Sequence, residues 1–205
     1  RRVAHLAMAG ECTPQDIANV LWALAKLSSA AEPLLVSALD SIMPGMLPRF
    51  KPLEISSLAW SLAKAPLLPA EELSRLVTAL HKTLDYSLLS EGLSAQGVAN
   101  CLWAFARLEP PPSGVLVSEL ALQATKVRDS LTPQGLSNVC SACAKLWDPE
   151  NTTFMFCLQL LDEGSIDALG APDVAEIAWA VGRMRQQFTA LPQMQTERLE
   201  VVAPA

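Results

Sequence analysis

The chain has 205 residues, of which 51% are hydrophobic, 18% charged and only 5% aromatic, with a formal net charge of −6. That length makes one large domain or two small ones, and the acidic balance excludes the broadly basic profile of a protein that coats nucleic acid without selectivity. Val20–Ala25, an apolar run as long as any in the chain, falls far short of the roughly 18–20 residues a membrane span needs, so no membrane insertion is expected. Five cysteines without framework spacing point to free thiols in a reducing compartment.

In chain order, residues 1–13 read as the tail of a preceding unit, with Arg1–Ala9 the end of a helix. PQDIANVLWALAKL opens at Pro14, and four segments line up with it without gaps: PLEISSLAWSLAKA from Pro52, AQGVANCLWAFARL from Ala95, PQGLSNVCSACAKL from Pro133 and APDVAEIAWAVGRM from Ala171. Their starts are spaced by 38, 43, 38 and 38 residues. Three equal spacings and one five-residue insertion mark an internal repeat. The units are 14–51, 52–94, 95–132, 133–170 and a partial 171–205.

Each aligned segment is expected to form a helix, termed helix A. Pro or Ala stands in its first turn, where a missing N–H costs nothing, and Thr13 and Thr132 are good N-caps. In the first copy, Ile17, Val20, Leu21, Leu24, Ala25 and Leu27 recur at helical spacing and give one broad apolar face. Between copies lies a second apolar helix, B, over about 32–43, 70–84, 114–127 and 151–161. Breakers such as Ser28–Ser29, Pro66–Pro69, Pro110–Pro112 and Asp148–Pro149 separate A from B. Residues 187–202 would start a fifth B helix. One helix pair cannot bury its apolar face alone, so the expected fold is all-α: a right-handed α-solenoid of about five stacked helix-turn-helix units of about 38 residues. Partial units at both ends lead to the expectation of a longer array.

Helix A carries one polar stripe. Asp16, Asn19, Ala23 and Lys26 share a face. Across the copies the last of these positions is Lys26, Lys64, Arg107, Lys145 and Arg183, basic every time. The second is Asn19, Ser57, Asn100, Asn138 and Glu176. Stacked A helices would turn both into ladders along one surface. A ladder of cations suits a phosphate backbone, and amides beside it suit base edges. A structural role suits the same positions: a cation in the last turn is favoured by the helix dipole, and an Asn can bond the backbone of the next repeat.

Trp22, Trp60, Trp103 and Trp179 share one position that borders the apolar face, and packing in the core is expected of them rather than base stacking. Ser141 replaces Trp in the fourth copy, and Trp147 is expected to refill that volume. Cys140 and Cys143 form a CxxC but occupy the core positions of Leu21 and Leu24, so buried inert thiols are expected and no metal site. His5 and His81 stand alone. No phosphate-binding Gly-rich loop, paired carboxylates or nucleophile motif is present; neither catalysis, a cofactor nor a small-molecule substrate is expected.

The recurring pattern, clearest in IANVLWALAKL (Ile17–Leu27) and VANCLWAFARL (Val98–Leu108), resembles the octotricopeptide repeat family and the related helical repeats of proteins carrying a RAP domain. The resemblance spans nearly the whole chain. It implies an organellar protein, in mitochondrion or plastid, of the kind found in algae and other protists. Such a protein binds organellar transcripts through its helix A surface and governs their stability, processing or translation. Some relatives serve instead as protein subunits of a larger assembly such as an organellar ribosome. The candidate contacts are the ladder residues Lys26, Lys64, Arg107, Lys145 and Arg183 with Asn19, Asn100 and Asn138.

Overall fold

The computed structural model describes residues 2–29, 31–90, 92–146, 153–161 and 167–202. Every regular element among them is helical. The aligned segments form α2 (Pro14–Lys26), α4 (Pro52–Lys64), α6 (Ala95–Phe105), α8 (Pro133–Lys145) and α10 (Ala171–Val202). Alternating with them are α1 (Arg2–Met8), α3 (Pro33–Met46), α5 (Ala70–Ser90), α7 (Gly114–Lys126) and α9 (Thr153–Leu160).

The helix starts follow their capping chemistry. The Thr13 hydroxyl accepts from the Asp16 N–H at 3.2 Å while the Thr13 N–H donates to the Asp16 carboxylate at 2.9 Å, a reciprocal capping box. The Lys51 N–H donates to the Glu54 carboxylate at 2.7 Å. Ser94, Ser113 and Thr132 each accept from the N–H three residues on. At the other end of α2 the Ser29 N–H reaches back to the Leu24 carbonyl, with Ser28 in the left-handed region at φ 51°. Gly10 closes α1 in the same way at φ 75°, a conformation that suits glycine far better than serine.

The A helices α2, α4, α6, α8 and α10 pack each on the next, and α1, α3, α5, α7 and α9 do likewise. Two layers result, and α4, α6 and α8 each also pack on the B helix that follows. The buried apolar residues of both layers form one cluster, from Ala4 and Ala7 in α1 to Ala180 and Met184 in α10. Layer A is rich in small buried residues such as Ala18, Ala59, Ser61, Ala99, Ala104 and Ala142. With so little side chain between them, neighbouring A helices approach closely and hold their outer faces in a fixed register.

One expectation is overturned. Residues 187–202 do not begin a separate B helix; they continue α10 without interruption from Ala171 to Val202. After Met184 come Arg185, Gln186 and Gln187, all good helix formers, with no Gly or Pro before Pro192 to turn the chain. The Trp147 position lies outside the described residues. No helix of the described residues is long and apolar enough to cross a membrane.

Candidate functional site

All five ladder cations are exposed: Lys26, Lys64, Arg107, Lys145 and Arg183. Lys26, Lys64 and Lys145 end α2, α4 and α8, where the helix dipole favours a cation. Arg183 lies well inside α10, so the dipole does not account for the ladder as a whole. Among the described residues the ion pairs join Arg75 to Asp40 and Glu71, and Arg128 to Asp129. No ladder cation takes part.

Four of the five cations, all but Lys64, sit on tryptophan. Lys26 Nζ lies 5.3 Å from the ring centroid of Trp22 and 5.2 Å from that of Trp60. The Arg107 guanidinium lies 4.1 Å from the Trp103 centroid. Lys145 and Arg183 flank Trp179 at 5.8 and 5.6 Å. Trp60 and Trp103 stack with centroids 6.4 Å apart and planes at 27°. A continuous run, Trp22–Lys26–Trp60–Trp103–Arg107, therefore crosses α2, α4 and α6. A second run, Lys145–Trp179–Arg183, joins α8 to α10. Ser141, which holds the tryptophan position in α8, separates the two.

This corrects the assignment of Trp22 and Trp179 to the core, whereas Trp60 and Trp103 do pack against it. Trp22 is 46% exposed and Trp179 45%, while Trp60 and Trp103 are half-buried. Each follows a helix position whose side chain points inward in the first three copies (Leu21, Ala59 and Leu102, all buried). One further residue turns the direction by about 100°, onto the flank of the helix. The signal was in the sequence: in four copies the cation follows the tryptophan by four residues, the spacing at which helical side chains meet.

The strip is crowded with like charge. Burial and then the neighbouring Arg107 lower the Lys145 ammonium from its ordinary value; Glu176 opposes the shift and Arg183 adds to it. Arg107 is likewise lowered by burial, with Glu176 acting against it. Part of the ladder is also tied into the fold: Arg183 Nε donates to the Ala144 carbonyl at 3.0 Å, and Arg107 to the Trp103 carbonyl of its own helix.

Of the amides, Asn19 is exposed and Asn100 and Asn138 are half-buried. None of the three bonds to another protein group among the described residues, so the backbone-bonding role is not the one they take here. Asn100 and Asn138 instead line a groove of about 300 Å³ between α6 and α8, with Gln96, Gln134, Ser130 and Thr132.

The thiols of α8 lie where the register placed them. Cys140 and Cys143 are fully buried and unpaired by disulfide. A hydrogen bond with Cys157 and then burial hold the Cys140 thiol well above the ordinary thiol range. Cys101 is pushed up to about 12 by burial. Thiols held protonated in this way are poor nucleophiles. No protein-family model matches the chain, and no curated protein matches it.

Proposed function

We propose that the chain is a stretch of right-handed α-solenoid, five helix pairs long, whose layer A face binds single-stranded RNA in an organelle and acts on transcript stability, processing or translation. One observation carries this reading: four exposed cations lie against tryptophan rings in two runs along one face of the A helices. Cations supply phosphate contacts in any sequence, and aromatic rings offer stacking surfaces to bases. The net charge of −6 does not oppose this, since charges farther apart than about 8 Å are largely screened at physiological salt. The resemblance to octotricopeptide repeats supports the same ligand class. No catalytic step is assigned to the chain.

Fluorescence anisotropy of a labelled single-stranded RNA tests this. Replacing Lys26, Lys64, Arg107 and Lys145 together with Ala should weaken binding at least tenfold. It should also flatten the dependence of log affinity on log salt by up to about 0.7 per cation removed. Circular dichroism should report unchanged helix. Undiminished binding would overturn the reading.

A second reading, a protein-interaction scaffold within a larger organellar assembly, is favoured by an open apolar groove of about 240 Å³ between α3 and α5. It gains if the wild-type chain binds no RNA and partner proteins co-purify through that face.

A further inference from the structure

The repeat makes each boundary between A helices comparable with the others, and one of them is built differently. At the third position of the aligned segments stand Asp16, Glu54, Gly97, Gly135 and Asp173; at the fifth stand Ala18, Ser56, Ala99, Ser137 and Ala175. Between α8 and α10 the two positions meet: the Ser137 hydroxyl donates to the Asp173 carboxylate at 3.0 Å. Between α6 and α8 the counterparts are Ala99 and Gly135, and a Cβ on Gly135 would stand 3.7 Å from the Ala99 Cβ. Both halves of the bridge are missing there. What remains is the groove of about 300 Å³, lined by Ala95, Ala99, Gly135 and the polar side chains already named, with no carboxylate among its lining residues.

Four of those side chains are carboxamides, Gln96, Asn100, Gln134 and Asn138, and none of them bonds to another protein group among the described residues. Gln96 and Gln134 are exposed at the rim, whereas Asn100 and Asn138 are half-buried, and desolvating an unpaired polar group is costly, so such amides are normally satisfied by protein, water or a ligand. Each amide offers one acceptor and two donors in a planar fork, the pattern that pairs with the edge of a nucleobase. The volume lies at the bottom of the range of about 300–1,000 Å³ typical of small-molecule sites, which fits one flat ring better than a larger ligand. Asn100 and Asn138 stand seven residues before Arg107 and Lys145, and Lys145 is about 10 Å further along α8. A cation for the backbone therefore stands beyond the groove at the end of α8, and another just past the end of α6.

We propose that the groove between α6 and α8 takes one base of the bound strand and reads it through Asn100 and Asn138. This rests on the RNA-binding reading of the layer A face and adds a place where sequence matters to a face that otherwise grips phosphates and stacks rings. Ala99 and Gly135, both small at this boundary, leave room for the pocket, and the absence of carboxylates from its lining keeps it compatible with a polyanion.

The test is anisotropy with labelled oligo(A), oligo(U) and oligo(C) of equal length on the full chain. The wild type should prefer one of the three. Asn100→Ala with Asn138→Ala should weaken the preferred oligomer by about fivefold or more, the scale of losing one good base contact. It should bring the three affinities together and leave the salt slope unchanged. Ala99→Ser with Gly135→Asp, which restores the residues of the α8–α10 bridge, should do the same. In that variant a helix-capping acid is added after Thr132, and the nearest atoms to the new Cβ are side-chain ends, Thr132 Oγ1 at 3.2 Å and Leu131 Cδ2 at 3.4 Å. Its melting temperature should be kept. If the wild type binds all three oligomers equally, or if both variants keep the preference, the base pocket is overturned while the RNA-binding face stands. If the wild type binds none of them, the underlying reading falls and the pocket with it.

Discussion

Layer A and layer B come from the same repeat but hold together differently. In layer A small buried side chains separate the helices, and polar bridges such as Ser137–Asp173 and Arg183–Ala144 cross from α8 to α10. In layer B, α3 and α5 stand apart around an apolar groove floored by Leu39, Met43, Leu47 and Leu76. At its rim Arg75 reaches Asp40 at 3.0 Å and Glu71 at 2.9 Å. Layer A has an opening of its own, the groove of about 300 Å³ between α6 and α8, but its small buried side chains bring neighbouring A helices close enough to keep a row of cations and rings in register. The candidate contacts accordingly sit on the layer that holds its spacing.

Truncating one leucine in each layer gives the largest contrast. Leu102, fully buried in α6, should cost about 2–5 kcal/mol when changed to Ala, because a closed site relaxes poorly around a new cavity. Leu76 in α5 already borders the open groove. Leu76→Ala should fall at or below the lower end of that range, about 1–2 kcal/mol, since the cost depends on how far a site can adjust. Urea denaturation of both variants checks this. Equal costs would mean that layer B is as tightly held as layer A.

The contrast also explains what the sequence disclosed. Layer A recurs residue for residue, so the A helices and their shared polar stripe were legible, and α2, α4 and α8 end at the predicted cations. The B segments share little sequence, yet their breakers placed α3, α5 and α7 to within a few residues, apart from the longer C-terminal end of α5 at Ser90. Trp60 and Trp103 pack against the core as expected, but Trp22 and Trp179 were misread because apolar character was weighed without the angle of the side chain. Trp22 and Trp179 show that a large ring one residue past the core line comes to lie under a cation instead. The groove between α6 and α8 was not legible at all: it depends on two residues from different copies, Ala99 and Gly135, being small together.

A smaller effect tests the seam between the layers. His81 of α5 packs edge-on against Phe105 of α6, with ring centroids 4.5 Å apart, and its Nε2 is buried without a hydrogen-bond partner. Burial lowers its pKa from 6.5 to about 4. The unfolded chain therefore takes up the proton first as the pH falls. Stability from this site is complete above about 6.5 and is lost between there and about 4. Partial exposure of the ring trims the loss to about 1–2 kcal/mol. His81→Leu should flatten the pH dependence of the melting temperature across that window. An unchanged slope would mean that other groups carry it.

The smallest effect belongs to the bridge across layer B. Arg75 is raised above its ordinary value by its hydrogen bond to Asp40 and then by the charge of that carboxylate, yet both side chains stay about half exposed to solvent. An exposed pair of this kind gains little over its separate hydration and is weakened further by salt. A double-mutant cycle of Arg75→Ala and Asp40→Ala should therefore show a coupling that thermal melts resolve only at low ionic strength. A coupling that survives physiological salt would mean that the pair is shielded and locks α3 to α5. Layer B would then owe its register to charge, where layer A owes it to close packing.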